Sequence, residues 1–254
     1  MMLGKRKAAL SAVAIFAVAA LNVGTLQAAD VPSELDADVI SYDMSTGEVK
    51  AEGNVLMKYG NTRVAGQSAS YNMNSRTGII SGGIIAESDD MRMTAQQAEL
   101  AGEAIKASGG VDAVKGTMHL TAQSICAEGN HYSAAGNVQA TDGSKSFSGE
   151  SADYQQDQGY VLLSNGGTIT TQDGTFSAGH MEGWLNDGHY KGTGDAHVKS
   201  TARDFEGGGD TAEYDSARGI AELTGNAWGV QGNNTVRSGH LTVHLADNGK
   251  AGVK

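Results

Sequence analysis

Cysteine and proline are almost missing from this chain, one of each in 254 residues. One cysteine cannot build an internal disulfide framework. Basic residues are scarce too: 18 Lys and Arg stand against 29 Asp and Glu, a formal net charge of −11, which argues against a nucleic-acid binder. Aromatic residues make up 6%. Beyond residue 29 no hydrophobic run is long enough to cross a bilayer as a helix, and no obvious barrel pattern is present. What the chain has in quantity is glycine, 36 residues, without the G-X-Y period or the prolines of collagen. Val, Ile, Leu and Phe together supply 45 of 254 residues, about 18%, a level met in disordered chains. Periodicity therefore has to decide whether the chain folds. The length suits one large all-β domain or two small ones.

Residues 1–29 are a different material. Lys5-Arg6-Lys7 gives a basic start, Ala8 to Leu26 is mostly apolar, and Ala28-Ala29 offers small residues before the first acid, Asp30. This is the pattern of a secretory signal peptide, with an uncleaved N-terminal anchor as the other reading. Either places the body, residues 30–254, outside the cytoplasm. Removal of the leader takes away three positive charges and no negative ones, leaving 15 bases and 29 acids.

Self-comparison exposes a repeat of about 29 residues, and a fixed period decides the fold class of the whole chain. An eight-residue segment beginning at Val64 (VAGQSASY) has relatives beginning at Leu35, Met93, Leu120, Phe147, Phe176 and Gly207, with a weaker one at Arg237. A second series lies between them: Gly53-Asn54, Gly82-Gly83, Gly109-Gly110, Gly136-Asn137, Gly166-Gly167, Gly194-Asp195 and Gly225-Asn226. Around Gly53 the apolar residues Val49, Ala51, Val55 and Met57 recur every two, which is strand periodicity. In the other element the inward positions are the first, third, sixth and eighth, so parity switches midway, as a β-bulge or corner within that element would require. Linkers such as Asp43 to Gly47, Asn72 to Gly78 and Asp215 to Gly219 are turn-forming and end in Gly. The reading is about eight units of two strands, fifteen or sixteen strands in all. Stacked units need only a thin core, which removes the warning of disorder, and nothing divides residues 30–254 into two domains.

Chemistry-bearing motifs are weak. His240 and His244 are four apart, but on a strand that separates them by about 13 Å, so no metal site is expected. Gly207-Gly208-Gly209-Asp210 lacks the tandem nonapeptides of calcium-binding β-rolls and reads as a flexible strand start. Ser148-Gly149-Glu150-Ser151 is one repeat copy and no nucleophile elbow. Asp153, Glu213 and Asp215 read as a solvated face sooner than as paired catalytic carboxylates, and phosphate loops are absent. No catalytic residue, cofactor or metal ligand is assigned. Cys126 sits at an apolar repeat position and reads as a buried, inert thiol. Trp184 and Trp228 lie off the repeat register and mark a rim or a partner surface.

The runs Ala37 to Asp43 (ADVISYD), Val49 to Val55 (VKAEGNV) and Val64 to Tyr71, repeated nearly throughout, resemble the OstA-like domain of the LptA family of lipopolysaccharide transport periplasmic proteins. The resemblance implies an open, twisted β-jelly roll with a greasy groove, acting as a passive periplasmic bridge and not as an enzyme. It implies lipopolysaccharide as ligand, LptC-like and LptD-like OstA domains as partners through edge-strand pairing, head-to-tail self-association and no nucleic acid. The groove candidates are Val39, Tyr42, Val49, Val55, Met57, Val64, Tyr71, Ile84, Met93, Leu100, Val111, Leu120, Ile125, Val138, Phe147, Tyr154, Leu162 and Phe176. Phe147 and Val64 are the positions whose truncation is expected to weaken lipid binding without unfolding. Two features depart from this picture: acids outnumber bases around a phosphorylated ligand, and the basic residues are scattered. The competing reading is a right-handed β-helix of a secreted, adhesin-like protein, or a polysaccharide lyase or hydrolase built on such a helix.

Overall fold

Alternating apolar and polar residues interrupted by Gly-containing turns dictate strands, and the computed structural model contains no other regular element among its described residues. These are residues 34–244 apart from 60, 103, 173, 202 and 216, together with residues 252–253. The signal peptide or anchor read at residues 1–29 lies outside the described residues. In chain order the strands are β1 (Glu34–Asp36), β2 (Val39–Asp43), β3 (Glu48–Tyr59), β4 (Thr62–Asn72), β5 (Thr77–Ser88), β6 (Met91–Ala101), β7 (Ala104–Lys115), β8 (Met118–Glu128) and β9 (His131–Asp142). They continue with β10 (Lys145–Gln155), β11 (Tyr160–Thr171), β12 (Gly174–Ala178), β13 (His180–Trp184), β14 (His189–Ser200), β15 (Phe205–Asp215), β16 (Ile220–Gln231), β17 (Asn234–His244) and β18 (Gly252–Val253).

All eighteen belong to one sheet in which successive strands pair antiparallel. β1 and β2 lie end to end along β3, and β12 and β13 lie end to end between β11 and β14. Counted as ladder positions, the sheet has fifteen full-length strands and the short β18, as the repeat predicts. Among the described residues no pairing joins β2 to β17, so the sheet is open. The antiparallel ladder overturns the β-helix reading, whose coils stack in parallel.

The corner is the device that turns a flat meander into a roll. Glu52 faces Ser68 and Val55 faces Gly66, leaving Gly53 and Asn54 together opposite Gln67. Two residues against one is a β-bulge. Both members of the pair have left-handed backbones, Gly53 at φ +77° and Asn54 at φ +48°. The same shift recurs between the long strands down the sheet. The extra residue thus belongs to the Gly-Asn strand, and the parity switch in the Val64-type element is only its shadow: the sequence reading placed the bulge on the wrong partner. Two registers are corrected as well. In β11 the left-handed pair is Asn165-Gly166, one residue before the expected Gly166-Gly167. In β17 Gly239 alone faces the Gly225-Asn226 corner, so the last copy begins at Val236, not Arg237. With these shifts the corner series runs 53, 82, 109, 136, 165, 194 and 225, and the segment starts run 35, 64, 93, 120, 147, 176, 207 and 236.

Since the bulge lets residues on both sides of the corner point inward, the two halves of every strand feed one core. That core is thin. Fourteen alanines, among them Ala51, Ala113, Ala152 and Ala227, are buried in it, and aromatic rings lie over inward glycines: Phe147 over half-buried Gly149 and Phe205 over buried Gly207. The sequence reading of Gly207 to Asp210 as a flexible strand start is overturned here. These residues lie inside β15, and a Cβ on Gly208 would come within 2.7 Å of the Ala196 carbonyl oxygen. The turns stack as well. Asp43 Oδ1 accepts hydrogen bonds from the Ser45 N–H at 2.8 Å and hydroxyl at 2.6 Å. The Met73 N–H donates to the Gly47 carbonyl, and the Asn74 amide donates to the Thr46 carbonyl, both at 2.9 Å. Further along, Gly102 donates to Arg76, Gln156 to Asn130 and Leu185 to Gly159, so the turns on this side continue the ladder beyond the strands.

The corner makes a paired prediction. A Cβ on Gly136, at φ +80°, would stand 2.6 Å from the Gln123 Cβ, whereas one on Gly110, at φ +87°, meets nothing within 4 Å. Gly136→Ala is expected to lose at least about 2 kcal/mol in urea unfolding, from backbone strain plus the clash. Gly110→Asn, which copies Asn54 and Asn137 at the same place in other units, is expected to stay within about 1 kcal/mol of wild type.

Candidate functional site: an apolar groove

Neighbours directly across an antiparallel pair share a face, so the register assigns every side chain to the inside or the outside. In the Val64-type strands the inward positions are the first, third, sixth and eighth, as read from sequence. In the corner strands they lie four and two residues before the left-handed pair and one and three after it. This gives Val49, Ala51, Val55 and Met57 in β3, and Tyr132, Ala134, Val138 and Ala140 in β9.

Sixteen of the eighteen groove candidates face inward, and two do not. Val39 stands opposite Glu52 and is 61% exposed; it is the fifth residue of its copy, so the inward residues of β2 are Ile40 and Tyr42. Leu162 stands between Asp153 and Glu182 on the outer face, while Val161 and Leu163 on either side of it are buried. The inward candidates differ in access. Val55, Val64, Ile84, Met93, Val111, Leu120, Ile125, Val138, Phe147 and Tyr154 are buried. Val49, Met57, Tyr71, Leu100 and Phe176 are half-buried, and Tyr42 at the end of the sheet is half exposed. Several inward residues escaped the sequence reading, including Tyr132, Val161, Tyr190 and Ala221. Their signal was available: each lies four residues before a left-handed corner.

The eighth position and its cross-strand partners form one rim, rich in tyrosine. Tyr132 stacks on Tyr154 with ring centroids 6.4 Å apart, and Tyr190 on Tyr214 at 6.2 Å. Desolvation, the main cause, raises the phenol pKa of Tyr132, Tyr190 and Tyr214 above its ordinary value, as an apolar surrounding disfavours the phenolate. These rings thus present apolar bodies with a neutral hydroxyl at one end.

The outer face carries the charge. His119 meets Asp112, His131 meets Asp153 and His197 meets Glu206 across strands at 3.0–3.1 Å, and Lys191 meets Glu213 at 3.2 Å. His240 lies next to the Thr224 hydroxyl at 3.0 Å. Trp184 stands on this face between Tyr160 and His189, and Trp228 beside His197. The Tyr160 hydroxyl donates to Glu182 at 2.7 Å; desolvation first, then that carboxylate, pushes its pKa up to about 12. Cys126 also belongs outside, between Lys106 and Ser133, half-buried and not in the core as the sequence suggested. Desolvation, aided by Glu128, raises its thiol pKa, which keeps the unreactive thiol form.

Burial also changes what truncation tests. Phe147, 1% exposed, is a structural ring, so the expectation that its removal spares the fold is corrected. Phe147→Ala is expected to cost about 3–5 kcal/mol, whereas Leu100→Ala at the half-buried rim should cost about 1 kcal/mol; urea unfolding of the two variants measures the difference.

A search of curated proteins returns no match. Among solved structures, similarity is found to LptH, described as the LptA homologous periplasmic component of the conserved lipopolysaccharide transport device from Pseudomonas aeruginosa. The identity is 16% over 48% of this chain and 75% of that chain, with a TM-score of 0.26. A family model described as LptA/(LptD N-terminal domain) LPS transport protein matches residues 63–248, which begin at the repeat copy that starts at Val64. Matched over that span, the chain belongs to the LptA/LptD N-terminal domain family of lipopolysaccharide transport proteins.

Proposed function

We propose that this chain is a periplasmic carrier, and not an enzyme, which shields the acyl chains of lipopolysaccharide along its inner face and bridges neighbouring components of the route from inner to outer membrane. The observation that supports it is a single apolar inner face, shared by fifteen strands of a sheet in which, among the described residues, no pairing joins the first strands to the last. Burial of acyl chain against such a face is worth about 0.8 kcal/mol per methylene, and needs no nucleotide. The sugar head stays in water beside the tyrosine rim.

Both edges favour assembly. At the N-terminal end Val39, Ile40, Tyr42 and Met44 are exposed, and at the C-terminal end Asn234 to His240 is exposed throughout. Open edges with apolar side chains pair with other strands, and β-augmentation is the mode by which OstA-like domains of LptC-like and LptD-like partners, or a second copy, would join the sheet.

Photoreactive side chains placed in living cells test the reading. Lipopolysaccharide adducts are expected from Tyr71, Leu100 and Phe176, which face inward and are partly accessible. None is expected from Gln67, Arg92 or Glu150 on the outside. Adducts from both faces alike, or from neither, would overturn it.

A further inference from the structure

The outer face holds both tryptophans of the chain, Trp184 and Trp228, although an indole is a side chain that a sheet ordinarily turns to its core. Trp184 packs between Tyr160 and His189. Trp228 is set differently. Along one outward row stand Ser177, His197, Gly208, Trp228 and Arg237, contributed in turn by β12, β14, β15, β16 and β17. Gly208 occupies a position that carries a side chain in every other copy of the repeat, from Asp36 and Ala65 to Ser177 and Arg237. A Cβ there would stand 3.1 Å from the Trp228 Nε1 and 3.3 Å from its Cε2, so the indole lies across the gap that the glycine leaves. His197 reaches over the same gap from the other side. Gly208 separates the two residues in the row, yet their ring centroids come within 5.7 Å, the planes inclined at 32°. Indole and imidazole together make a half-buried aromatic shelf on the surface of the sheet.

The charges around the shelf run against those of the chain. His197 lies 3.0 Å and Lys199 3.9 Å from the carboxylate of Glu206, so two basic side chains share one acid. Arg237, opposite Trp228 and exposed, has no ion-pair or hydrogen-bond partner among the described residues. Cations are thus in excess at one place on a chain with 29 acids and 18 bases. Beyond His197 and Lys199 the outward residues are uncharged: Ser177 and Thr175 in β12, then Thr168 and Thr170 in β11. Their hydroxyls engage no other described residue.

From this arrangement we infer that the Trp228 shelf binds an acidic glycan, with one pyranose ring on the indole and a sugar carboxylate on Arg237. A pyranose has an apolar C–H face, which packs on an aromatic ring. Its rim of hydroxyls needs donors and acceptors, which Ser177, Thr175 and Glu206 offer. A guanidinium takes a carboxylate through two parallel hydrogen bonds, a contact that a neutral sugar cannot make. An acyl chain would use neither the hydroxyls nor Arg237. A nucleic acid stacks and pairs with Arg as well, but its run of phosphates meets the carboxylates of the surrounding outer face. Because the shelf and the groove lie on opposite faces of the sheet, the site stands independently of the carrier reading, and a roll held there keeps its inner face free.

Two tryptophans make the test direct. Trp184→Phe in the purified protein leaves Trp228 as the only indole, and its fluorescence is followed against three saccharides. One is a peptide-free tetrasaccharide of alternating N-acetylglucosamine and N-acetylmuramic acid; chitotetraose is the same backbone without carboxylates; the third is the lipid-free inner-core oligosaccharide of lipopolysaccharide, which carries acidic sugars. A saturable change is expected with an acidic glycan, and chitotetraose should bind at least about tenfold more weakly. Arg237→Ala, at an exposed position, should weaken the acidic glycan at least about tenfold and leave chitotetraose unchanged. Trp228→Thr, which copies Thr168 at the same place in another unit, should abolish binding measured by calorimetry, with thermal melting run alongside to certify the fold. The tighter of the two acidic glycans names the source, cell wall or lipopolysaccharide. No saturable response to either, equal binding of chitotetraose and the acidic tetrasaccharide, or binding that survives Arg237→Ala and Trp228→Thr in folded protein would overturn the site.

Discussion

The left-handed residue pair at the middle of every second strand is the constraint on which the rest of this molecule depends. A regular strand sends alternate side chains to opposite faces, and a sheet of such strands has one inside only if it packs on something else. Here two residues of the corner strand face one residue of its neighbour, the strand bends, and both halves of the strand turn their apolar residues to the same side. The sheet then packs on itself. Only a few residue types accept φ between about +48° and +90°, which is why Gly, Asn and Asp recur there every 27 to 31 residues while the remainder of the unit drifts in sequence.

A thin core follows from that geometry. Each strand contributes about four inward positions, many of them alanine or glycine, and stability is the sum of many similar strand-to-strand contacts and not of one deep centre. The turn ladder, where one turn's N–H or amide reaches the carbonyl of the next turn along, extends the backbone pairing to the ends of the roll. Exposed ion pairs add little on top of this. Among the described residues only the two-residue β18 follows β17, and no strand pairs with the outer side of β2. Open ends and an inner apolar face have one common origin in the repeat.

The repeat was legible in the sequence because it has two markers, the glycine of the corner and the small residues of the inward rows, and both are local. The strand count, the tight turns between strands and sixteen inward residues came from those. The errors arose where a marker was ambiguous by one residue. Asn165-Gly166-Gly167 contains two glycine pairs, and only the backbone shows that Asn165 takes the first left-handed position. Val39 and Leu162 are apolar residues at outward positions, so hydrophobicity outvoted parity. Cys126 was misplaced for the same reason. The packing of Phe147 over Gly149 and Gly167 could not be read at all, since it joins residues of neighbouring strands whose register depends on the bulge.

Register also shows where the acids of this acidic chain lie. The carboxylates of Asp112, Asp153, Glu182, Glu206 and Glu213 alternate with inward apolar residues and therefore lie on the outer face. Several are already paired with His or Lys. Between them and the inner face stands the sheet itself, with side chains on both sides, a separation on the order of 10 Å. That is comparable to the screening length of about 8 Å at physiological ionic strength, and the path around the rim runs through water. The repulsion that a count of charges suggests is consequently weak where an acyl chain would lie, and strongest on the outer surface, where it opposes sideways association of one roll with another. Edge pairing escapes this penalty, because an added strand meets backbone groups and the apolar Val39, Ile40 and Tyr42. The charge distribution thus favours growth of the sheet along its own axis over aggregation across it.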